Sequence, residues 1–93
     1  MRQLVYTKVA VDDLRRLRAF IAERDPQSAA HAAAELGRRI LKICEFPSIG
    51  RAVAEAPDPE VVRDMVFGNY VVRYAVHQEI VVILRVWHHL EAR

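Results

Sequence analysis

The chain has a single cysteine, Cys44, among 93 residues, so no disulfide can close within it and a cysteine-rich zinc site is excluded. Its three glycines, Gly37, Gly50 and Gly68, are too far apart for a dinucleotide fingerprint or a phosphate-binding loop, so no nucleotide cofactor is expected. Only two serines are present, Ser28 and Ser48, and Cys44 falls on an apolar helical stripe, so nucleophilic catalysis has no obvious carrier. The histidines are His31, His77, His88 and His89, with no H-E-x-x-H and no carboxylate triad. Neighbours on a strand point to opposite faces, so His88 and His89 do not share a metal, and no metal site is expected. No apolar run approaches the roughly 18 residues of a membrane span. No apolar stretch of signal-peptide length follows Met1-Arg2-Gln3-Leu4. The expectation is a cytoplasmic protein without a membrane partner.

What is present fits a folded domain: 53% of residues are apolar and 28% charged, far from the balance of a disordered chain. Residues 1–93 make one domain, since the length leaves no room for two. The net charge is +2, but it is unevenly placed. Arg15, Arg16, Arg18, Arg38, Arg39 and Lys42 make the first half basic, while the second half carries a slight acidic excess. Such a half presents either a solvated helical surface or a face for nucleic acid or an acidic partner.

Gln3-Leu4-Val5-Tyr6 reads as a strand. Ala10, Leu14, Leu17 and Ile21 then recur at helical spacing, with Asp12 and Asp13 expected in the first turn. Asp25-Pro26 ends that helix and caps a second, whose stripe is Ala29, Ala33, Leu36, Ile40, Ile43 and Cys44. Gly37 within it is expected to admit a closely packed backbone. Phe46-Pro47 closes the helix, and Ala52 to Pro59 reads as a loop. The period then changes to two: Val61 to Phe67 is a strand, Gly68-Asn69 a turn, and Tyr70 to Val76 alternates. Ile80 to His88 is nearly continuous in apolar residues, as in a central strand. The predicted fold is α+β, ordered β-α-α-β-β-β, with a helical hairpin on one face of a largely antiparallel sheet.

Arginines and histidines gather on the last strands. Arg73 and Arg85 are expected on one side of adjacent strands, with His88 and His89 at the end and Arg51 and Arg63 upstream. Arginine suits phosphate and histidine suits proton transfer, so the set fits RNA binding or cleavage; it equally fits a half-exposed sheet face.

The order and spacing of several segments resemble the RelE/ParE superfamily of toxins from type II toxin–antitoxin modules. These are Ala10-x-x-Asp13-Leu14, Pro26-x-x-Ala29, Phe46-Pro47-x-x-Gly50-Arg51, Val62-Arg63-Asp64-Met65-Val66, Asn69-Tyr70-Val71-Val72-Arg73-Tyr74 and Ile83-Leu84-Arg85-Val86-Trp87-His88. The resemblance implies the same fold, a cognate acidic antitoxin that folds on binding, and one of two targets. RelE-like members cut messenger RNA on the ribosome; ParE-like members poison DNA gyrase without catalysis. For a nuclease, the candidates here are His88, Arg73 and Arg85. Against that branch, Val71 stands where several nucleases carry arginine, and Leu90, Glu91, Ala92 and Arg93 supply no C-terminal tyrosine. The ParE-like reading is therefore preferred, with Arg15, Arg16, Arg38 and Arg39 as candidate antitoxin contacts. The antitoxin segment is expected to cover the helical hairpin and a sheet edge, as a helix in a groove or an added strand.

Overall fold

In the computed structural model, which describes residues 2–58 and 61–91, the elements run β1 (Gln3–Tyr6), α1 (Lys8–Arg24), α2 (Pro26–Glu45), β2 (Arg51–Ala52), β3 (Val62–Phe67), β4 (Tyr70–His77) and β5 (Ile80–His88). Met1, Pro59, Ala92 and Arg93 lie outside the described residues. One five-stranded sheet has the order β1-β5-β4-β3-β2; β1 runs parallel to β5 and every other pairing is antiparallel. The two helices lie on one face, so the expected α+β architecture is the observed one. The two-residue β2 is not among the expected strands and takes in Ala52, the first residue of the predicted loop, because two residues are too few to show a period.

Thr7 joins β1 to α1. Its hydroxyl accepts the Ala10 N–H at 3.0 Å and donates to the Leu84 carbonyl at 3.1 Å, capping the helix and tying it to β5. With the cap at Thr7, the first turn holds no acid, and Asp12 and Asp13 stand one turn further in than their dipole role required. Asp25 alone separates the helices, and its carboxylate accepts the Ser28 N–H at 3.2 Å with Pro26 at the first helical position. Of the second stripe, Leu36, Ile40, Ile43 and Cys44 are buried, whereas Ala29 is half-buried and Ala33 exposed. The expected close backbone at Gly37 is absent: a Cβ there would meet nothing within 4 Å. The helices leave a groove of about 170 Å³ between them, bordered by Leu14, Leu17, Ile21, Ala33, Leu36 and Gly37.

Ala10, Leu17, Leu36, Ile40 and Ile43 pack on Met65, Val72, Tyr74, Val81, Ile83 and Val86 to form the core. Burying each large aliphatic side chain contributes about 1.5–3 kcal/mol. Strict alternation from Ile83 would send Arg85 into this core. The register instead shifts between Arg73 and Tyr74, pairing Arg73 with Arg85 and Tyr74 with Ile83, so Leu84 is a bulge residue. The bulge reverses the phase, returning Val86 and His88 to the helix side and sending Arg85 and Trp87 to the open face.

The turn after α2 is clamped. The buried Tyr74 hydroxyl donates to the Pro47 carbonyl at 2.6 Å and accepts the Gly50 N–H at 2.9 Å, while Arg63 donates to the Gly50 carbonyl at 2.8 Å. A Cβ at residue 50 would lie 2.8 Å from that hydroxyl and 2.9 Å from the Asp64 carbonyl, so glycine is required there.

Candidate functional site

The bulge and the register bring Arg73 and Arg85 directly opposite each other on the open face, as expected. Like charges across a strand pair repel, and each is compensated by its own acid. Arg73 donates to both oxygens of Asp64, at 2.8 and 2.9 Å, and its guanidinium lies 5.2 Å from the Trp87 ring centre. Arg85 reaches over the edge of β5 to Asp13, at 2.8 and 3.1 Å. These are two-pronged pairs, in which the Nε–Nη2 edge of each guanidinium is already engaged.

Asp13 is the hub of the second pair. β1 accompanies β5 only as far as Ile83, so the Val86 N–H points past the end of β1, and Asp13 accepts it at 2.9 Å. Asp13 also holds Arg16 at 2.6 Å. Burial opposes its charge, but hydrogen bonds from Arg85, Arg16 and Val86 prevail and lower its pKa to about 2. Arg16 extends the network to Glu91 at 2.7 Å, and Glu91 accepts the His88 main-chain N–H at 2.9 Å. The hydrogen bond from Arg16 in turn lowers the Glu91 pKa.

His88 stands on the opposite face from the arginine pair. It is 8% exposed, with its ring 5.0 Å from Tyr70 and 5.3 Å from Phe20. Its Nδ1 accepts the Leu90 N–H at 3.1 Å, so the neutral ring carries its proton on Nε2. Burial, then the neighbouring His89 and Arg24, push its pKa down. The sheet separates this imidazole from Arg73, while Arg85 is drawn over the β5 edge and held by Asp13, so the three candidates are not gathered on one face. Among the described residues no group of histidines, cysteines and acids is placed to hold a metal.

The basic helical residues differ in availability. The Arg15 side chain is 80% exposed, whereas Arg16 is tied into the Asp13 network. Arg38 and Arg39 share Glu35, at 2.6 and 3.0 Å, with their side chains still more than half exposed. Arg63 serves the Gly50 turn, and Arg51 is exposed on β2. Asp13, Asp64, Tyr74 and Glu91 organise the site without having been singled out for that role by the sequence; the cue was that each arginine inside a strand needs an acid within reach.

A family model described as ParE toxin of type II toxin–antitoxin system, parDE, matches residues 4–93. Toxin RelE1 of Caulobacter vibrioides is 36% identical over 83 residues, covering 87% of this chain and 86% of that protein. The chromosomal ParDE system from P. aeruginosa contains a chain of TM-score 0.78 at 20% identity, covering 95% of this chain and 96% of that one. The RelBE2 complex from Mycobacterium tuberculosis contains one of TM-score 0.69 at 21% identity, covering 94% and 96%. Both structures share the fold described above. The protein therefore belongs to the ParE toxin family of type II toxin–antitoxin systems, within the RelE/ParE superfamily.

Proposed function

We propose that this toxin acts by binding and inhibiting DNA gyrase, without cleaving RNA, and that a cognate antitoxin neutralises it. The observation that carries the reading is that His88 and Arg73 lie on opposite faces of the sheet, with Arg73 and Arg85 already paired to acids. A ribonuclease needs a proton-transfer group and phosphate-binding cations around one reacting atom. A protein that works by binding needs neither. The cytoplasm, where gyrase works, is the proposed location.

The antitoxin is assigned to the helical hairpin. The groove between α1 and α2 is apolar, and Gly37 on its wall gives a partner helix room to approach. Arg15, Arg38 and Arg39 stand exposed on the same helices and suit an acidic segment that folds on binding; Arg16 supports the site through Asp13. The name of the 36% identical relative, RelE1, favours the second reading, a ribosome-dependent messenger RNA endonuclease.

Purified toxin is tested for loss of gyrase supercoiling, with accumulation of cleaved DNA, and for breaks in translated messages by primer extension. Gyrase inhibition with intact messages is expected. Cut messages with unaffected supercoiling would replace the gyrase reading by the nuclease one.

A further inference from the structure

The far end of α2 carries a second surface, one that shares no bordering residue with the hairpin groove. Arg39, Lys42, Phe46, Ile49, Arg51 and Val66 border a cleft of about 400 Å³. Phe46, Ile49 and Val66 are 56%, 50% and 51% exposed, an apolar cluster that water disfavours. Around it the charge is positive. Among the described residues the one acid bordering the cleft, Asp64, is already neutralised by Arg73. Among the described residues no carboxylate pairs with Lys42 or Arg51.

An unfinished sheet edge runs along the same cleft. β2 meets β3 only at Arg51–Asp64 and Ala52–Arg63, so among the described residues the strand β3 has from Met65 to Phe67 a neighbour, β4, on one side alone. In an antiparallel ladder alternate residues turn their main-chain groups to the same edge, so Val66, two beyond Asp64, presents its N–H and C=O outward. An edge strand of this kind is a template for another strand.

Charge and edge together select the occupant. A second copy of this chain would bring Arg39, Lys42 and Arg51 against their own images, a like-charge contact that costs binding. A nucleic acid offers phosphates to the cations but no main chain to the free edge and no aliphatic group to Ile49 and Val66. An extended protein segment with alternating acidic and apolar side chains meets all three demands.

We propose that this edge is a docking strip for an acidic, extended segment of the toxin's protein target. The segment adds a strand beside Val66, seats an apolar side chain between Phe46 and Ile49, and pairs its carboxylates with Lys42 and Arg51. The assignment to a target rests on the reading that the toxin acts by binding a protein. It also explains how one small domain serves two partners: an antitoxin helix in the hairpin groove leaves Lys42, Phe46, Ile49, Arg51 and Val66 untouched, Arg39 alone standing between the two surfaces.

The test has two arms. In the first, the full chain is titrated with a seven-residue peptide alternating Glu with Val and Leu, and amide chemical shifts are followed. Shifts centred on Arg51, Val66 and Phe67 are expected. Binding should fall about tenfold or more in Lys42→Glu/Arg51→Glu, with a smaller difference at high salt, and should fall likewise in Ile49→Asp. It should be lost when alternate peptide amides are N-methylated, and a Lys-Val peptide should not bind. Shifts elsewhere, indifference to N-methylation, or displacement of the peptide by a DNA or RNA oligonucleotide would overturn the strip.

In the second arm, the double variant and Ile49→Asp are compared with wild type for growth inhibition, antitoxin affinity and melting temperature. Growth inhibition should be lost, with antitoxin affinity within about twofold of wild type and melting unchanged, since all three positions are exposed. Retained growth inhibition would overturn the proposal. So would a selective fall in antitoxin affinity, which would give the strip to the antitoxin. Should wild type leave gyrase untouched, the target reading fails by itself, and the peptide arm still decides whether the strip exists.

Discussion

Asp13 and Arg85 are 72 positions apart in sequence and joined by two hydrogen bonds, of 2.8 and 3.1 Å, across the point where β1 ends and α1 takes over the edge of β5. The contact is mechanical as well as electrostatic. The same carboxylate accepts the Val86 N–H, so one buried acid completes a sheet edge, neutralises an outward arginine and docks a helix.

Replacing Asp13 by Ala is therefore expected to be among the costliest single changes in the molecule. It strands a buried N–H and removes the counter-charge of Arg85 and one of the two acids that hold Arg16, which places the loss at about 3–5 kcal/mol. With total stabilities near 5–15 kcal/mol, much of the variant would be unfolded at 37 °C. Arg85→Ala should cost markedly less, because Asp13 keeps Arg16 and the Val86 N–H. Urea denaturation of the two variants checks the order, and equal midpoints would contradict the hub role.

Acid should act through the same residue. The folded Asp13 pKa of about 2 lies below its ordinary 3.8, so its contribution is complete above the ordinary value and is lost as pH falls through about 2. The shift corresponds to roughly 2–3 kcal/mol. His88 adds a milder limb in the same direction: its pKa is lowered, so the folded state favours the neutral ring and loses stability as pH drops below 6.5 and towards the folded value. Stability measured at pH 8, 5 and 3 should decline stepwise, and Asp13→Asn should flatten the lowest step.

Two glycines offer opposite outcomes for one substitution. Gly37→Ala adds a methyl with nothing within 4 Å in a helix interior and should stabilise by up to about 1 kcal/mol. The same methyl projects beside the groove between the helices, so antitoxin affinity should fall. Gly50→Ala drives a Cβ against the Tyr74 hydroxyl and the Asp64 carbonyl and should destabilise by about 1–3 kcal/mol. Thermal melts of both, with antitoxin titrations of the first, provide the check.

Much of the fold was legible because period and punctuation agreed. Asp25-Pro26, Phe46-Pro47 and Gly68-Asn69 all sit at element boundaries, and Gly68 takes a φ of 54° that a side chain resists. What stayed hidden was non-local. Nothing near Leu84 announces a bulge, and nothing near Asp13 announces a partner on β5; both follow from which strands lie side by side. The groove at Gly37 was hidden for a related reason: an alanine-rich stripe reads as close packing, while Ala33 lies exposed where the helices part. For the candidate site, Arg73 and Arg85 share the face expected of them, but only through the bulge at Leu84, which alternation does not foresee. The sequence could not reveal that Asp64 and Asp13 neutralise them, or that His88 faces the other way.

His88 gives the clearest test of function. As a general acid or base its loss would remove about 10²–10⁴-fold of a cleavage rate. Its geometry supports another role: Nδ1 caps the Leu90 N–H, and the ring fills the space between Phe20 and Tyr70. His88→Ala should cost about 1–3 kcal/mol of stability through the lost packing and the unpaired N–H. His88→Asn retains an acceptor for that N–H and should recover part of this, although asparagine has no imidazole to move a proton. At a temperature where both variants are folded, each should keep substantial growth inhibition and should still inhibit supercoiling by gyrase. If folded His88→Asn instead lost all toxicity while wild-type toxin cut ribosome-bound message, the buried imidazole would have to move to the reacting atoms during catalysis, and the gyrase reading would fall.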